Sequence, residues 1–240
     1  MIILITGGAS GLGAAITTRM ARSAEFKVYF TYNQSVAKAK AIEGAFPNTS
    51  GIRCDFSDQE SVDSLKLQIA AINPDVLINN AYSGSFLKTH FHKTQPADFL
   101  AEFKDSVLPT LAVTQAAISS FRKKKAGKII TVLTAALVNT PPAGAAIYVA
   151  NKAYLQQMAK VWAAENGRFN ITSNTVSPNF MQTKFTGDID ERMVEQIRQN
   201  HPLKTLLTTE EVAETIYFLA NTTAQVNGID ILINAATNIK

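Results

Sequence analysis

The stretch Ile2-Ile3-Leu4-Ile5-Thr6-Gly7-Gly8-Ala9-Ser10-Gly11-Leu12-Gly13 carries the clearest structural signal in the chain. Its first four residues form a continuous apolar run, the pattern of a strand buried on both faces. Glycines follow at once, and an amphipathic pattern over Leu12–Arg22 continues as a helix. A strand that turns sharply into a helix needs positive φ angles, which glycine adopts without penalty. Missing side chains also let an anion approach the backbone, where free N–H groups and the positive end of the helix dipole await it. The turn therefore predicts a phosphate cradle.

Apolar runs and helix-length amphipathic segments alternate along the rest of the chain. Strands are predicted at Ile2–Ile5, Lys27–Thr31, Gly51–Cys54, Val76–Asn79, Lys128–Leu133, Asn170–Val176 and Ile229–Ile233. Helices are predicted at Leu12–Arg22, Val36–Ala45, Gln59–Ile72, Ala97–Lys123, Ala145–Glu165 and Glu210–Ala220. This alternation specifies an α/β fold: a doubly wound, parallel, seven-stranded sheet with helices on both faces. Ser35 and Ser57 stand where helix N-caps are needed, and Asn73-Pro74-Asp75 ends a helix. The chain shows no repeat or linker, so residues 1–240 read as a single Rossmann-type domain. The polar stretch Ser177–Leu207, with a short amphipathic piece near Glu191–Gln199, follows the sixth strand. Ligands bind beyond the carboxyl ends of such strands, so this stretch is expected to act as a substrate lid.

The bulk properties exclude several classes. A chain of 240 residues with 46% hydrophobic content can bury one sizeable core. Its net charge of +4 is spread among acids, which argues against nucleic-acid binding. The first apolar run is too short to span a bilayer, and a single cysteine, Cys54, permits no internal disulfide, so a reducing cytoplasm is expected. His90 and His92 lack a third ligand in the sequence, and no metal site is expected.

Three further motifs accompany the cradle. Asp55 directly follows the third strand, Asn79-Asn80-Ala81 ends the fourth, and Tyr148-Val149-Ala150-Asn151-Lys152 lies on a predicted helix. Tyr148 and Lys152 are i and i+4 and share one helix face. A neighbouring ammonium favours phenolate and so brings a phenol, which ordinarily titrates near ~10, toward working pH. Such a pair suits proton donation to a carbonyl oxygen.

Taken together, Thr6-Gly7-x-x-x-Gly11-x-Gly13, Asp55, Asn79-Asn80-Ala81 and Tyr148-x-x-x-Lys152 resemble the short-chain dehydrogenase/reductase family, in order and spacing, over essentially the whole chain. The resemblance implies a nicotinamide cofactor contacted by Gly7, Ser10, Gly11, Leu12, Gly13, Asn33, Ser35, Asp55, Phe56, Asn80, Ala81, Tyr148, Lys152, Pro178 and Thr183. It implies that Tyr148 is the proton donor and that Lys152 also holds the nicotinamide ribose. The family's serine, commonly thirteen residues before the tyrosine, would fall on Ala135; Thr134, one residue earlier, carries a hydroxyl and is expected to serve instead. The family's relay asparagine corresponds to Ser106. Other departures are Tyr82 where the family carries glycine after Asn-Asn-Ala, Pro178-Asn179 for Pro-Gly, and Ala235-Ala236 for a late Gly-Gly.

Cofactor choice is read from Thr31-Tyr32-Asn33. An NAD site usually places a carboxylate about 20 residues beyond the glycines. No acid occurs from Val28 to Ala41, and Asn33 and Ser35, with Lys38 nearby, could receive a 2′-phosphate. NADP(H) is therefore favoured over NAD(H), although Asn33 and Ser35 could simply form a turn and a cap.

Arg122, Lys123, Lys124, Lys125 and Arg168 cluster at two helix ends. In the resembled family, 3-oxoacyl-acyl-carrier-protein reductases use basic residues there to dock an acidic carrier protein, which suggests reduction of a 3-oxoacyl group in fatty acid or polyketide biosynthesis. Helix-dipole complementation is the plainer explanation. The competing functions are a dehydrogenase or reductase for another small hydroxy or keto compound, and a weakly catalytic nucleotide-binding scaffold. The family also implies a homodimer or homotetramer.

Overall fold

A computed structural model describes residues 1–237; Asn238, Ile239 and Lys240, the end of the expected domain, lie outside the described residues. Seven strands, β1 (Ile2–Ile5), β2 (Lys27–Tyr32), β3 (Thr49–Arg53), β4 (Val76–Asn79), β5 (Gly127–Val132), β6 (Ile171–Pro178) and β7 (Asp230–Ile233), form one sheet in the order β3-β2-β1-β4-β5-β6-β7. Every pairing is parallel, with Ile3 opposite both Val28 and Val76. The strand order reverses direction between β1 and β4, and that is where a doubly wound sheet opens its ligand crevice.

Helices α1 (Gly11–Ala21) and α8 (Thr209–Asn221) cover one side, sharing a core with Ile3, Ile5, Val28 and Phe30. Helices α3 (Gln59–Ile72), α5 (Leu108–Lys124) and α6 (Ala146–Asn166) bury Leu65, Phe121 and Trp162 against Leu4, Leu77 and Ile129 on the other. β1 is thus covered on both faces, which is why it reads as an unbroken apolar run. Helices α2 (Val36–Ala45), α4 (Pro96–Glu102) and α7 (Glu191–Asn200) are shorter and peripheral.

The structure corrects the sequence expectations in local ways. Asp58, not Ser57, caps α3, accepting from the backbone N–H groups of Glu60 and Ser61. Ser57 donates to Asp55 instead. Ser35 occupies the N-cap position of α2 without a capping hydrogen bond from its side chain. Asn73 ends α3 in the left-handed conformation at φ 52°. The helix expected over Ala97–Lys123 is divided: α4 passes into a π-helical turn at Phe103–Val107 before α5 begins. Asn170 belongs to the turn before β6, with φ 57°. No helix among the described residues is long and apolar enough to cross a membrane.

Candidate active site

The carboxyl ends of β1, β4, β5 and β6 open into a cleft of about 820 Å³. Thr6, the first residue beyond β1, ties the cleft floor together. Its hydroxyl accepts from the backbone N–H groups of Asn80 and Ala81, each at 3.0 Å. The Asn80 amide in turn donates to the carbonyls of Thr6 and Gly7 at 3.0 and 3.1 Å. On the β2 side, Gly7 N–H donates to the Thr31 hydroxyl at 2.9 Å. The glycine turn is thereby fixed to both neighbouring strands before any ligand arrives.

The glycines of the turn are required by conformation or by space. Gly7 lies at φ 67° and Gly11 at φ 52°, conformations that L side chains rarely adopt. A Cβ on Gly13 would lie 2.0 Å from the Gly7 carbonyl oxygen. Ser10, Gly11, Leu12 and Gly13 present the start of α1 to the cleft, so a pyrophosphate would meet free N–H groups there. These residues fit a dinucleotide.

The far end is lined by Asn33, Gln34, Ser35, Asp55 and Phe56. Hydrogen bonds from the Ser57 hydroxyl and N–H hold the Asp55 carboxyl below the usual carboxylate range, with a smaller contribution from Asn33. No acid and no base occurs among the lining residues from Thr31 to Ser35, and Lys38 does not line the cleft.

At the other end, α6 brings Tyr148 and Lys152 together. Both are buried, at 8% and 4% exposure. Lys152 Nζ donates to the Val132 carbonyl at 2.7 Å and lies 5.8 Å from the Tyr148 ring centroid. Burial pushes the Lys152 ammonium down to about 8. The downward shift expected for Tyr148 from its neighbouring ammonium is reversed: burial raises the phenol to about 12, against a lowering hydrogen bond with Thr134. Thr134 follows β5, and its Oγ1 already accepts from the Ala136 N–H at 3.2 Å, which leaves its own proton free to be donated.

Every cofactor residue expected from sequence lines this one cleft, as do Thr134, Tyr148 and Lys152. Ser106 does not. It is fully buried in the π-helical turn, where its hydroxyl accepts from the Ser83 N–H at 3.2 Å.

Sequence reasoning missed an aromatic enclosure around Tyr148. Tyr82 and Phe86, from the loop after β4, meet its ring edge-on with centroids at 5.2 and 5.3 Å. Phe185, from the segment after β6, lies at 5.7 Å and also contacts Tyr82 and Phe86. Tyr82 was visible only as bulk in place of glycine. Nothing in local periodicity marks Phe86 or Phe185 as its neighbours.

Comparisons with known proteins agree with this geometry. The family profile described as enoyl-(acyl carrier protein) reductase matches residues 7–236. The chain is similar to the 3-oxoacyl-[acyl-carrier-protein] reductase FabG of Thermotoga maritima, 30% identical over 95% of this chain and 96% of that one. It is also similar to the corresponding MabA of Mycobacterium avium, 30% identical over 91% of this chain and 82% of that one. Among solved structures, a short-chain dehydrogenase from Burkholderia cenocepacia in complex with NADP superposes with a TM-score of 0.86 at 25% identity, over 99% of this chain and 97% of that one. Fold, cleft and kinship agree, and the chain belongs to the short-chain dehydrogenase/reductase family as an oxidoreductase working between carbonyl and hydroxyl groups.

Proposed function

We propose that this protein is an NADPH-dependent ketoreductase acting on 3-oxoacyl thioesters, with Tyr148 as proton donor. The observation that carries the reading is the placement of Tyr148 and Lys152 in the same cleft as the glycine turn. A reduced nicotinamide, when bound, supplies the hydride to the carbonyl carbon. Tyr148 Oη gives its proton to the carbonyl oxygen, completing the alcohol and leaving a phenolate. The charged form of Lys152 stabilises that phenolate, and the Thr134 hydroxyl donates to the same substrate oxygen. Asn33 and Ser35 receive the 2′-phosphate, a role consistent with the absence of acid from Val28 to Ala41.

The acyl side of the cleft suits an apolar chain. Phe86, Leu87, Met181, Ile189, Met193 and Ile197 line it. The segment from Ser177 to Leu207 acts as a lid, since Thr183 and Phe185 belong to it and both line the cleft.

A carrier protein would dock on Arg122, Lys123, Lys125 and Arg168, all exposed. Lys124 is withdrawn from the expected set. Its ammonium lies 2.6 Å from Asp75 and donates to the carbonyls of Asn73 and Pro74, so it fastens α5 to the turn before β4. Arg122 keeps an exposed flank while donating to Asn166 and stacking on Phe169. Self-association as a dimer or tetramer through α5 and α6 completes the proposal.

The direct test mixes purified protein with NADPH or NADH and a short 3-oxoacyl thioester and follows loss of the reduced cofactor's absorbance. Faster turnover with NADPH than with NADH is expected. Turnover of other ketones alone would favour the small-carbonyl alternative, and nucleotide binding with no turnover of any carbonyl would favour the scaffold.

A further inference from the structure

Two side chains, Tyr82 and Lys88, converge on one buried carboxylate beside the cleft. Glu102, the last residue of α4, is only 4% exposed. Its Oε1 accepts from the Tyr82 hydroxyl, and its Oε2 lies 2.6 Å from Lys88 Nζ. A Cβ on Gly84 would sit 2.3 Å from the carboxyl group, so any side chain at residue 84 would displace the acid from this position. Asn151, on α6, donates to the Tyr82 hydroxyl at 3.3 Å. A buried carboxylate is costly and needs partners of good geometry. Here the carboxylate and Asn151 together hold the Tyr82 hydroxyl.

The far end of the Tyr82 side chain is thus held from two helices. Its ring centroid lies 5.1 Å from Lys152 Nζ, within the range of a cation–π contact, and its edge meets the Tyr148 ring. We infer that Tyr82 is a positioning residue for Lys152, its ring holding the ammonium in the cleft while Glu102 and Asn151 lock the ring. This deepens the reading of Lys152 given above and rests on it. The groups facing the ammonium are the Tyr82 and Tyr148 rings and the Val132 carbonyl. Glu102 and Lys88 stand beyond the Tyr82 hydroxyl, and Asp105 lines the same cleft from the π-helical turn. In this arrangement the ring favours the charged form of Lys152 over the neutral one. Its hydroxyl serves only to fix the ring.

The test follows the titration of Lys152 by NMR in the full-length protein carrying 13C-labelled lysine, with the resonance assigned by its loss in Lys152→Met. Tyr82→Phe retains the ring and is expected to leave the midpoint within about 0.3 pH units, whereas Tyr82→Leu should lower it by roughly 0.5–1.5 units. Should the leucine variant not fold, pentafluorophenylalanine at position 82 keeps the shape but reverses the ring's quadrupole, and the same fall is expected relative to phenylalanine. Reductase kcat should follow the same order, with the leucine variant about tenfold below the phenylalanine one. Equal midpoints with and without an electron-rich ring would overturn the inference. The NMR measurement needs no turnover, so a parent protein that reduces no carbonyl would sink the ketoreductase reading separately.

Discussion

Lys152 Nζ donates to the backbone carbonyl of Val132 at 2.7 Å, tying the second turn of α6 to the last residue of β5. That bond fixes an ammonium group beside Tyr148 in a setting that gives it little help. Burial pushes Lys152 down to about 8, whereas lysine ordinarily titrates near ~10.4.

Between those two values the unfolded chain binds a proton that the folded chain declines, so stability rises with pH across that window. Below about pH 8 the penalty of the buried charge is fully present. Lys152→Met is therefore expected to raise Tm at pH 7 by roughly 2–6 °C while abolishing turnover. Calorimetry and a cofactor absorbance assay on the same preparation check both halves. A fall in Tm would mean that the Val132 bond outweighs the buried charge.

The same titration shapes activity. In the free enzyme, kcat/KM for carbonyl reduction should hold below pH 8 and decline about tenfold per unit above it as Lys152 loses its proton. A rate constant flat to pH 10 would remove the ammonium charge from the mechanism.

Tyr148→Phe keeps the aromatic packing with Tyr82 and Phe86 but removes the donated proton. Turnover should drop by about 10²–10⁴-fold with nucleotide affinity unchanged. Cofactor fluorescence titration beside the rate assay separates the two, and retained turnover would reject Tyr148 as the acid.

Asn33→Asp places a carboxylate at the end of the cleft where none occurs from Thr31 to Ser35. It should raise KM for NADPH by at least about tenfold and lower it for NADH, because the carboxylate repels a 2′-phosphate and accepts from a ribose hydroxyl. An unaltered ratio would move the 2′ position elsewhere.

Phe185 covers Tyr148 from the segment after β6 and is itself 39% exposed. Phe185→Ala removes this ring and its contacts with Tyr82, Phe86 and Tyr148 from the acyl side of the cleft, so KM for a long acyl chain should rise roughly tenfold through lost apolar burial, with less effect on a short one. Equal KM for both chain lengths would exclude this ring from the acyl path.

The basic cluster separates into two kinds of residue. Lys123→Glu with Lys125→Glu should raise KM for carrier-bound substrate in a salt-sensitive way and leave a small surrogate alone. Lys124→Ala should instead cost about 0.5–1 kcal/mol of stability, because its partner Asp75 is half-exposed. Denaturant melts and kinetics at two ionic strengths distinguish them.

Much of this was legible in the chain because each strand buried on both faces carries its own signature. Ile2–Ile5 and Val76–Asn79 have the observed limits, since short apolar runs closed by polar and turn-forming residues leave little choice. The π-helical turn at Phe103–Val107 was not legible, because one additional residue in a turn hardly disturbs a helical hydrophobic pattern. Ser57 and Asp58 are both good caps, and only the backbone path decides between them. In the site, Tyr148 and Lys152 share a helix and could be paired from spacing alone. Tyr82, Glu102 and Lys88 are brought together by a long loop, and no period links them.

Gly84 has a consequence for descent and for engineering. A phenol at 82 without the acid would be buried with one acceptor fewer, the acid without Lys88 would be an unbalanced charge, and any larger residue at 84 would strike the carboxyl group. These positions are therefore expected to be inherited or grafted onto another scaffold together, with an aromatic ring at 82 and glycine at 84 the least exchangeable of them.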